Sequence, residues 1–292
     1  MTQFREELAT PKTSLQLCIA GLVAGAVAAI MIIIFRLSID YIQFFFITDR
    51  DDFSVLSDHL RFLLPSVGAL LILLLSSLTR FRHYRMGIPY VIHCVKKRYG
   101  LLPFRSTMNQ FFGGIIALAS GFSVGREGPA VHIGAAMSGW VANWLKLPLN
   151  SIRTLVGCGI AAAISASFNT PLAAVIFVME VVLREYRVHL FIPVMLAAVT
   201  GSLMYRMVFG NSHEFEDIIF LYVGYEHFVY LLLMGIGLGL GAFAFNSQSM
   251  MVFRWFENYR MATRLLIAGL ITGAVGYLVP QALGSGIGGI QF

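Results

Sequence analysis

Long runs of apolar residues, separated by short polar loops, organise this chain. The first run, residues 14–46, carries charge only at Arg36 and Asp40. A helix rises 1.5 Å per residue and a bilayer's hydrocarbon core is roughly 30 Å thick, so a helix of this length tilts or ends outside it. Further runs lie at 62–78, 109–122, 130–145, 155–167, 171–183, 190–209, 228–250 and 265–279. Several are too short, or too rich in Gly and Pro, to cross simply. Within 101–183 they are separated by Gly121, Gly125, Gly128, Pro129, Pro148 and Pro171, which break helices or start them at the first turn. Backbone that is not helical at membrane depth is tolerated only where it faces protein or a water-filled cavity. Broken helices in that region therefore point to a transport site near the midplane.

The loops give the expected orientation. Residues 79–98 hold Arg80, Arg82, Arg85, Lys96, Lys97 and Arg98 with no acid, whereas residues 48–58 hold Asp49, Asp51, Asp52 and Asp58. Basic loops stay in the cytoplasm. An inside amino terminus then places Arg184 and Arg187, and later Arg254, Arg260 and Arg264, inside as well. The loop with Glu214, Glu216, Asp217 and Glu226 falls outside. The alternation closes if 101–183 crosses an even number of times.

Composition agrees. Of 292 residues, 58% are apolar and 12% charged, with mean hydropathy +0.77, whereas a soluble domain is about a quarter charged. Disorder, a disulfide scaffold and a soluble fold are excluded. The net charge of +6 would suggest nucleic acid in a soluble protein. Here the basic residues sit in short loops and report topology, so no nucleic-acid partner is expected. Cys18, Cys94 and Cys158 have no metal-ligand spacing and read as buried hydrophobes. The start of the chain shows no cleavable signal peptide.

The chemistry concentrates in Ser123-Val124-Gly125-Arg126-Glu127-Gly128-Pro129. Pro129 is placed to open the helix that follows. A helix start leaves unpaired N–H groups and about half a positive charge, which attracts an anion. The glycines let the backbone turn and leave room for an ion. Glu127 becomes a tethered carboxylate competing for the anion's place. The plainer alternative is a helix-capping acid beside Arg126, but an ionisable side chain amid intramembrane glycines is functional by default.

This stretch resembles the Gly-Arg/Lys-Glu-Gly-Pro signature of the CLC family of chloride channels and chloride/proton antiporters. Phe168-Asn169-Thr170-Pro171-Leu172-Ala173 and the helix ending in Glu180 are similar to the family's next two helices. Arg85-Met86-Gly87-Ile88-Pro89 corresponds to its first filter segment. The resemblance runs from about residue 14 to the end, so residues 1–292 are assigned to one transmembrane domain.

The resemblance implies an all-α fold of two inverted repeats with broken and re-entrant helices, and a homodimer with a pore in each subunit. It places the protein as a multi-pass protein of the inner (plasma) membrane, in contact with lipid. Chloride is the implied substrate, in exchange for protons in an antiporter, with no cofactor and no metal. Glu127 is the implied gating and proton-transfer glutamate. Met86, Gly87, Ile88, Pro89, Gly125, Arg126, Gly128 and Pro129 complete the implied anion site, Arg126 through its backbone amide.

Three departures qualify this. Met86 stands where the family has a serine hydroxyl, so it offers no donor; a methionine there resembles the fluoride/proton branch. The pair Glu180-Val181 replaces two consecutive acids, and valine carries no proton, which favours a passive channel or another relay. Glu180 is expected to be structural, bonded to nearby backbone or to Arg184 at the i,i+4 spacing. Finally, the chain stops at Gly284-Ser285-Gly286-Ile287-Gly288-Gly289-Ile290-Gln291-Phe292. The family's Gly-x-Phe-x-Pro segment and inner tyrosine would still be to come. The second repeat is therefore expected to be incomplete and the chain to be a fragment or truncated product, with a non-conducting membrane fragment as an alternative to a transporter.

Gly21, Gly25 and Ala29 form a four-spaced small face for close helix packing, and Gly235, Gly237, Gly239 and Gly241 resemble this more weakly. His83, His93, His132, His189 and His213 share no ligand spacing. Tyr90, Trp140, Trp144 and Trp255 suit interfacial anchoring. An enzyme using Glu127 and His132 as acid and base lacks a nucleophile or second carboxylate. A non-transporting scaffold is the remaining alternative.

Overall fold

A computed structural model describes residues 15–47, 52–79, 86–210, 224 and 227–284. Arg80, Arg82 and Arg85, Asp49 and Asp51, the acids between 214 and 226, His83, His213 and the glycine-rich 285–292 lie outside the described residues. Among the described residues the chain forms ten α-helices and no strand. They are α1 (Leu15–Phe44), α2 (Asp58–Leu78), α3 (Gly87–Lys97), α4 (Phe104–Ala119), α5 (Glu127–Trp144), α6 (Leu149–Phe168), α7 (Pro171–Phe177), α8 (Val188–Phe209), α9 (Phe228–Phe256) and α10 (Met261–Leu278). Six of them, α1, α2, α6, α8, α9 and α10, are long and apolar enough to cross a membrane. The protein is a multi-pass membrane protein.

Helix α6 is the centre of the packing. It buries residues around its whole circumference, including Leu155, Val156, Cys158, Ile160, Ala161, Ala162, Ala163 and Ala166, because α1, α5 and α8 all pack against it. Small residues make this possible. A Cβ added at Gly25 would lie 2.9 Å from Ala197 Cβ of α8 and 3.3 Å from Ala162 Cβ of α6. One added at Gly21 would lie 3.1 Å from Cys158 Sγ. Gly201 of α8 faces the Ala162 carbonyl just as closely. The small face expected of Gly21, Gly25 and Ala29 is thus a three-helix crossing, driven by backbone approach rather than by hydrophobicity, as lipid contact demands. All three cysteines are buried and free.

The second half is looser. Helix α10 pairs with α2 through Gly269 and Gly273, which meet the backbone of Pro65 and Phe62. Helix α9 buries none of its residues, and a Cβ at Gly235, Gly237, Gly239 or Gly241 meets nothing within 4 Å. The weaker glycine pattern there has no packing partner among the described residues.

Two expectations need correction, the first at the end of α7. The helix passes into a π-helical turn, Val178–Leu183, and stops at Arg184 in the left-handed region, φ 55°. In a π turn the hydrogen bond spans five residues, so the i,i+4 register between Glu180 and Arg184 is lost. Glu180 is exposed. The acid that is paired here is Glu185, 3.0 Å from Arg153 and 3.6 Å from Arg187. The aromatic residues also divide: Trp144 and Trp255 are exposed as anchors would be. Tyr90, however, stacks on His132, and Trp140 donates to the Leu102 carbonyl at 3.4 Å, so both serve internal packing.

Candidate functional site

The two motif segments begin helices in the same way. In α3 the order is Met86 as cap, then Gly87, Ile88 and Pro89; in α5 it is Arg126 as cap, then Glu127, Gly128 and Pro129. Each helix therefore has proline at its third position, where the missing N–H costs nothing. Pro129 sits inside the first turn rather than opening it, so Glu127 itself is the first helical residue. The Ala130 N–H already reaches the Arg126 carbonyl at 3.0 Å, and Pro129 has no donor. The amides that α5 does not use internally are those before Pro129.

The two helix starts meet. A Cβ placed on Gly128 would lie 3.9 Å from Gly87 Cα, and one on Gly87 would lie 3.9 Å from Gly128 Cα. The two backbones are thus one side-chain layer apart, within van der Waals reach of a single added methyl group. Gly87 also has φ +70°, a conformation that residues with a Cβ rarely adopt. Two amino ends, each with about half a positive charge, thus converge on one spot. Met86, extended at φ −132° and ψ 174°, and Ile88 are half-buried beside it, while Pro89 is exposed.

Glu127 is exposed at this convergence. Its carboxylate folds back over Gly125 closely enough that a methyl group at 125 would collide with it. The glycine at 125 therefore makes room for the carboxylate rather than for the turn alone. The Arg126 guanidinium carbon lies 5.8 Å from the centre of the Phe168 ring, a cation–π contact that turns the side chain toward the end of α6. Pro129 is buried.

Two further groups belong to this neighbourhood. Gln110 of α4 accepts the Gly87 N–H on its Oε1 at 3.0 Å, so a neutral amide oxygen holds the donor that opens α3. Its only signal in the sequence is a polar residue inside the apolar run 109–122. Ser123 Oγ donates to the Ala282 carbonyl, and the Gly284 N–H to the Gly121 carbonyl at 3.1 Å. These bonds strap the loop before Glu127 to the turn Pro280–Ala282 that follows α10. His132, fully buried one and a half turns along α5, makes no contact with a carboxylate, which removes the basis for an acid–base pair with Glu127. Among the described residues no group of three acids, histidines or cysteines could hold a metal ion.

A helical chain of this arrangement has counterparts among known proteins. Residues 67–292 match the family described as voltage gated chloride channel. The chain belongs to this family. A ClcB-like chloride channel protein of Ralstonia nicotianae is 29% identical, the match covering 92% of this chain and 65% of the relative. The H(+)/Cl(−) exchange transporter ClcA of Yersinia pestis bv. Antiqua is 26% identical over 98% of this chain and 61% of its own length. Among solved structures, a slow cyanobacterial Cl−/H+ antiporter superposes with TM-score 0.76 at 20% identity, covering 93% of this chain and 66% of that one. A CLC-type fluoride/proton antiporter gives 0.72 at 25% identity, covering 92% and 67%. The fold is the all-helical CLC fold, with the second repeat present in part. The chain spans less than two thirds of the length of these two curated relatives.

Proposed function

We propose that this protein carries chloride across the plasma membrane along a path at the meeting point of α3 and α5, with Glu127 as its gate. The observation that carries the reading is the contact of the two helix starts through Gly87 and Gly128, with the Glu127 carboxylate exposed beside them. Helix ends support an anion without a full buried cation, which would hold it too tightly to release. The ionised carboxylate competes with the anion, and the neutral form leaves the place free. The relatives named for H(+)/Cl(−) exchange support coupling to protons. Val181, where a relay acid would stand, offers no titratable group, so the inward step belongs to another group or to water.

The test is anion efflux from liposomes containing the purified chain, with Glu127→Ala in parallel. Acidification is expected to speed efflux in the parent and to have no effect in the variant. Efflux that is absent, or that stays constant between about pH 4 and 8, a range bracketing the ordinary glutamate value and an upward shift of several units, refutes the gate. A fluoride/proton antiporter is the second reading. Met86 at the cap of α3, with no hydroxyl to offer chloride, and the likeness to the fluoride antiporter favour it. Parallel chloride and fluoride efflux separates the two.

We further propose a cytoplasmic amino terminus and a homodimer. Leu172 and Ile176 of α7 and Ile192, Met195, Val199 and Leu203 of α8 form an exposed apolar face that supports pairing.

A further inference from the structure

His132 lies in α5 five residues beyond Glu127, about 7.5 Å further along the helix axis. The side chain is completely buried, and neither Nδ1 nor Nε2 has a hydrogen-bond partner in the chain. A neutral imidazole presents one N–H donor and one bare nitrogen acceptor, both in the plane of the ring. Tyr90 of α3 stacks on that ring with centroids 5.8 Å apart and planes 20° apart. A stacked partner covers the face and satisfies neither nitrogen, which point outward from the edge.

The two helices that carry the pair are buried here, with Val91 of α3 and Val131, Ile133, Ala135 and Ala136 of α5 all inaccessible to solvent. A plain apolar side chain would fill this space at no polar cost, whereas buried polar groups are almost always paired. The charges of the neighbouring elements are engaged elsewhere. Arg36 of α1 lies against Tyr205 and Phe209 of α8, with Asp40 a turn further along α1. Arg153 of α6 is bound to Glu185, Arg105 of α4 is exposed, and Arg126 lies on Phe168. On α3 the nearby titratable groups are Tyr90 itself and Cys94, which interacts with the tyrosine hydroxyl, as does Ser106 of α4. None of these bonds to the imidazole.

We propose that His132 is the seat of an internal water site, and that its imidazole exchanges protons with solvent through that water. Water is the ligand whose chemistry fits: it is small enough for an enclosed site, and it both donates and accepts. A group of this kind, five residues beyond Glu127 on the same helix, supplies a proton-carrying station in a chain whose Val181 has none. The use of the site in transport rests on the anion-path reading above; the site itself does not.

The experiment uses the full chain in lipid nanodiscs with 15N-labelled histidine. An imidazole resonance that exchanges with water and is lost in His132→Phe is expected. A His132 N–H protected from exchange for hours, with no contact to water, overturns the proposal. His132→Phe keeps the ring and its stacking on Tyr90, and His132→Gln keeps a polar group that cannot titrate. In liposomes both variants are expected to keep anion efflux within twofold while proton uptake falls tenfold or more. Unchanged proton uptake in both overturns the proton-carrying role. A parent chain that passes no anion overturns the anion-path reading instead, and the exchange measurement then decides the site alone.

Discussion

The contact between α5 and α6 fixes where Glu127 stands, and a single methyl group measures how tight that contact is. Replacing Gly134 by alanine would put a Cβ 2.5 Å from Ala163 Cβ and 2.6 Å from the Gly159 carbonyl oxygen. Carbon atoms pack comfortably at about 3.5–4.0 Å, so α5 must move by about 1 Å relative to α6. Both obstacles are backbone or a Cβ, and neither can rotate away. Overpacking of this kind costs about 1–3 kcal/mol, a fall of several degrees in the unfolding midpoint for a chain of this size. The same substitution at Gly113 of α4 meets only Leu75 Cδ2, at 3.9 Å. There the better helix propensity of alanine dominates and contributes about 0.5–1 kcal/mol of stability. Thermal unfolding of the two variants in detergent should therefore move in opposite directions from the parent. A Gly134→Ala protein as stable as the parent, or a Gly113→Ala protein that loses as much, would refute the reasoning that backbone approach holds α5 in place.

Further predictions concern the site and its supports. Gln110→Ala frees the Gly87 N–H; a charge-assisted bond to an anion is worth about 1 kcal/mol more than the neutral one it replaces, so equilibrium halide binding should tighten several-fold, and unchanged or weaker binding would count against the amide as an anion donor. Met86→Ser adds a hydroxyl at the same helix start and should shift selectivity toward chloride in paired chloride and fluoride efflux; no shift would remove residue 86 from the filter. Asn169, left-handed at φ 55°, accepts from Ser202 Oγ at 2.6 Å and Arg206 Nε at 3.2 Å. Asn169→Ala is expected to lose about 1–3 kcal/mol through strain and lost bonds, with Asn169→Gly losing less, both read by thermal unfolding.

The sequence carried the long-range plan better than the local chemistry. Apolar runs, small-residue spacing at Gly21, Gly25 and Ala29, and prolines 129 and 171 follow from the bilayer's demand that backbone groups pair internally, so helices and their close crossings could be read directly. The likeness in Gly125 to Pro129 located the acid and the glycine beside it. What could not be read depended on tertiary approach. Gln110 looks like one polar residue in an apolar helix until α3 brings Gly87 to it. Glu180 and Arg184 have ideal helical spacing, and the π turn that breaks it leaves no periodicity signal. Tyr90 has the composition of an interfacial anchor, yet the fold turns it onto His132.

The strap from Ser123 to Ala282 joins residues 159 positions apart. During synthesis, which proceeds from the amino end, the loop ahead of Glu127 emerges long before the segment that pins it. Until α10 has entered the bilayer and docked on α2, that loop lacks two of its hydrogen bonds. The loop ahead of Glu127 is thus pinned only after the helices on both of its sides have been made, and a nascent chain halted after α8 should leave Ser123 without the Ala282 carbonyl that it holds in the folded chain.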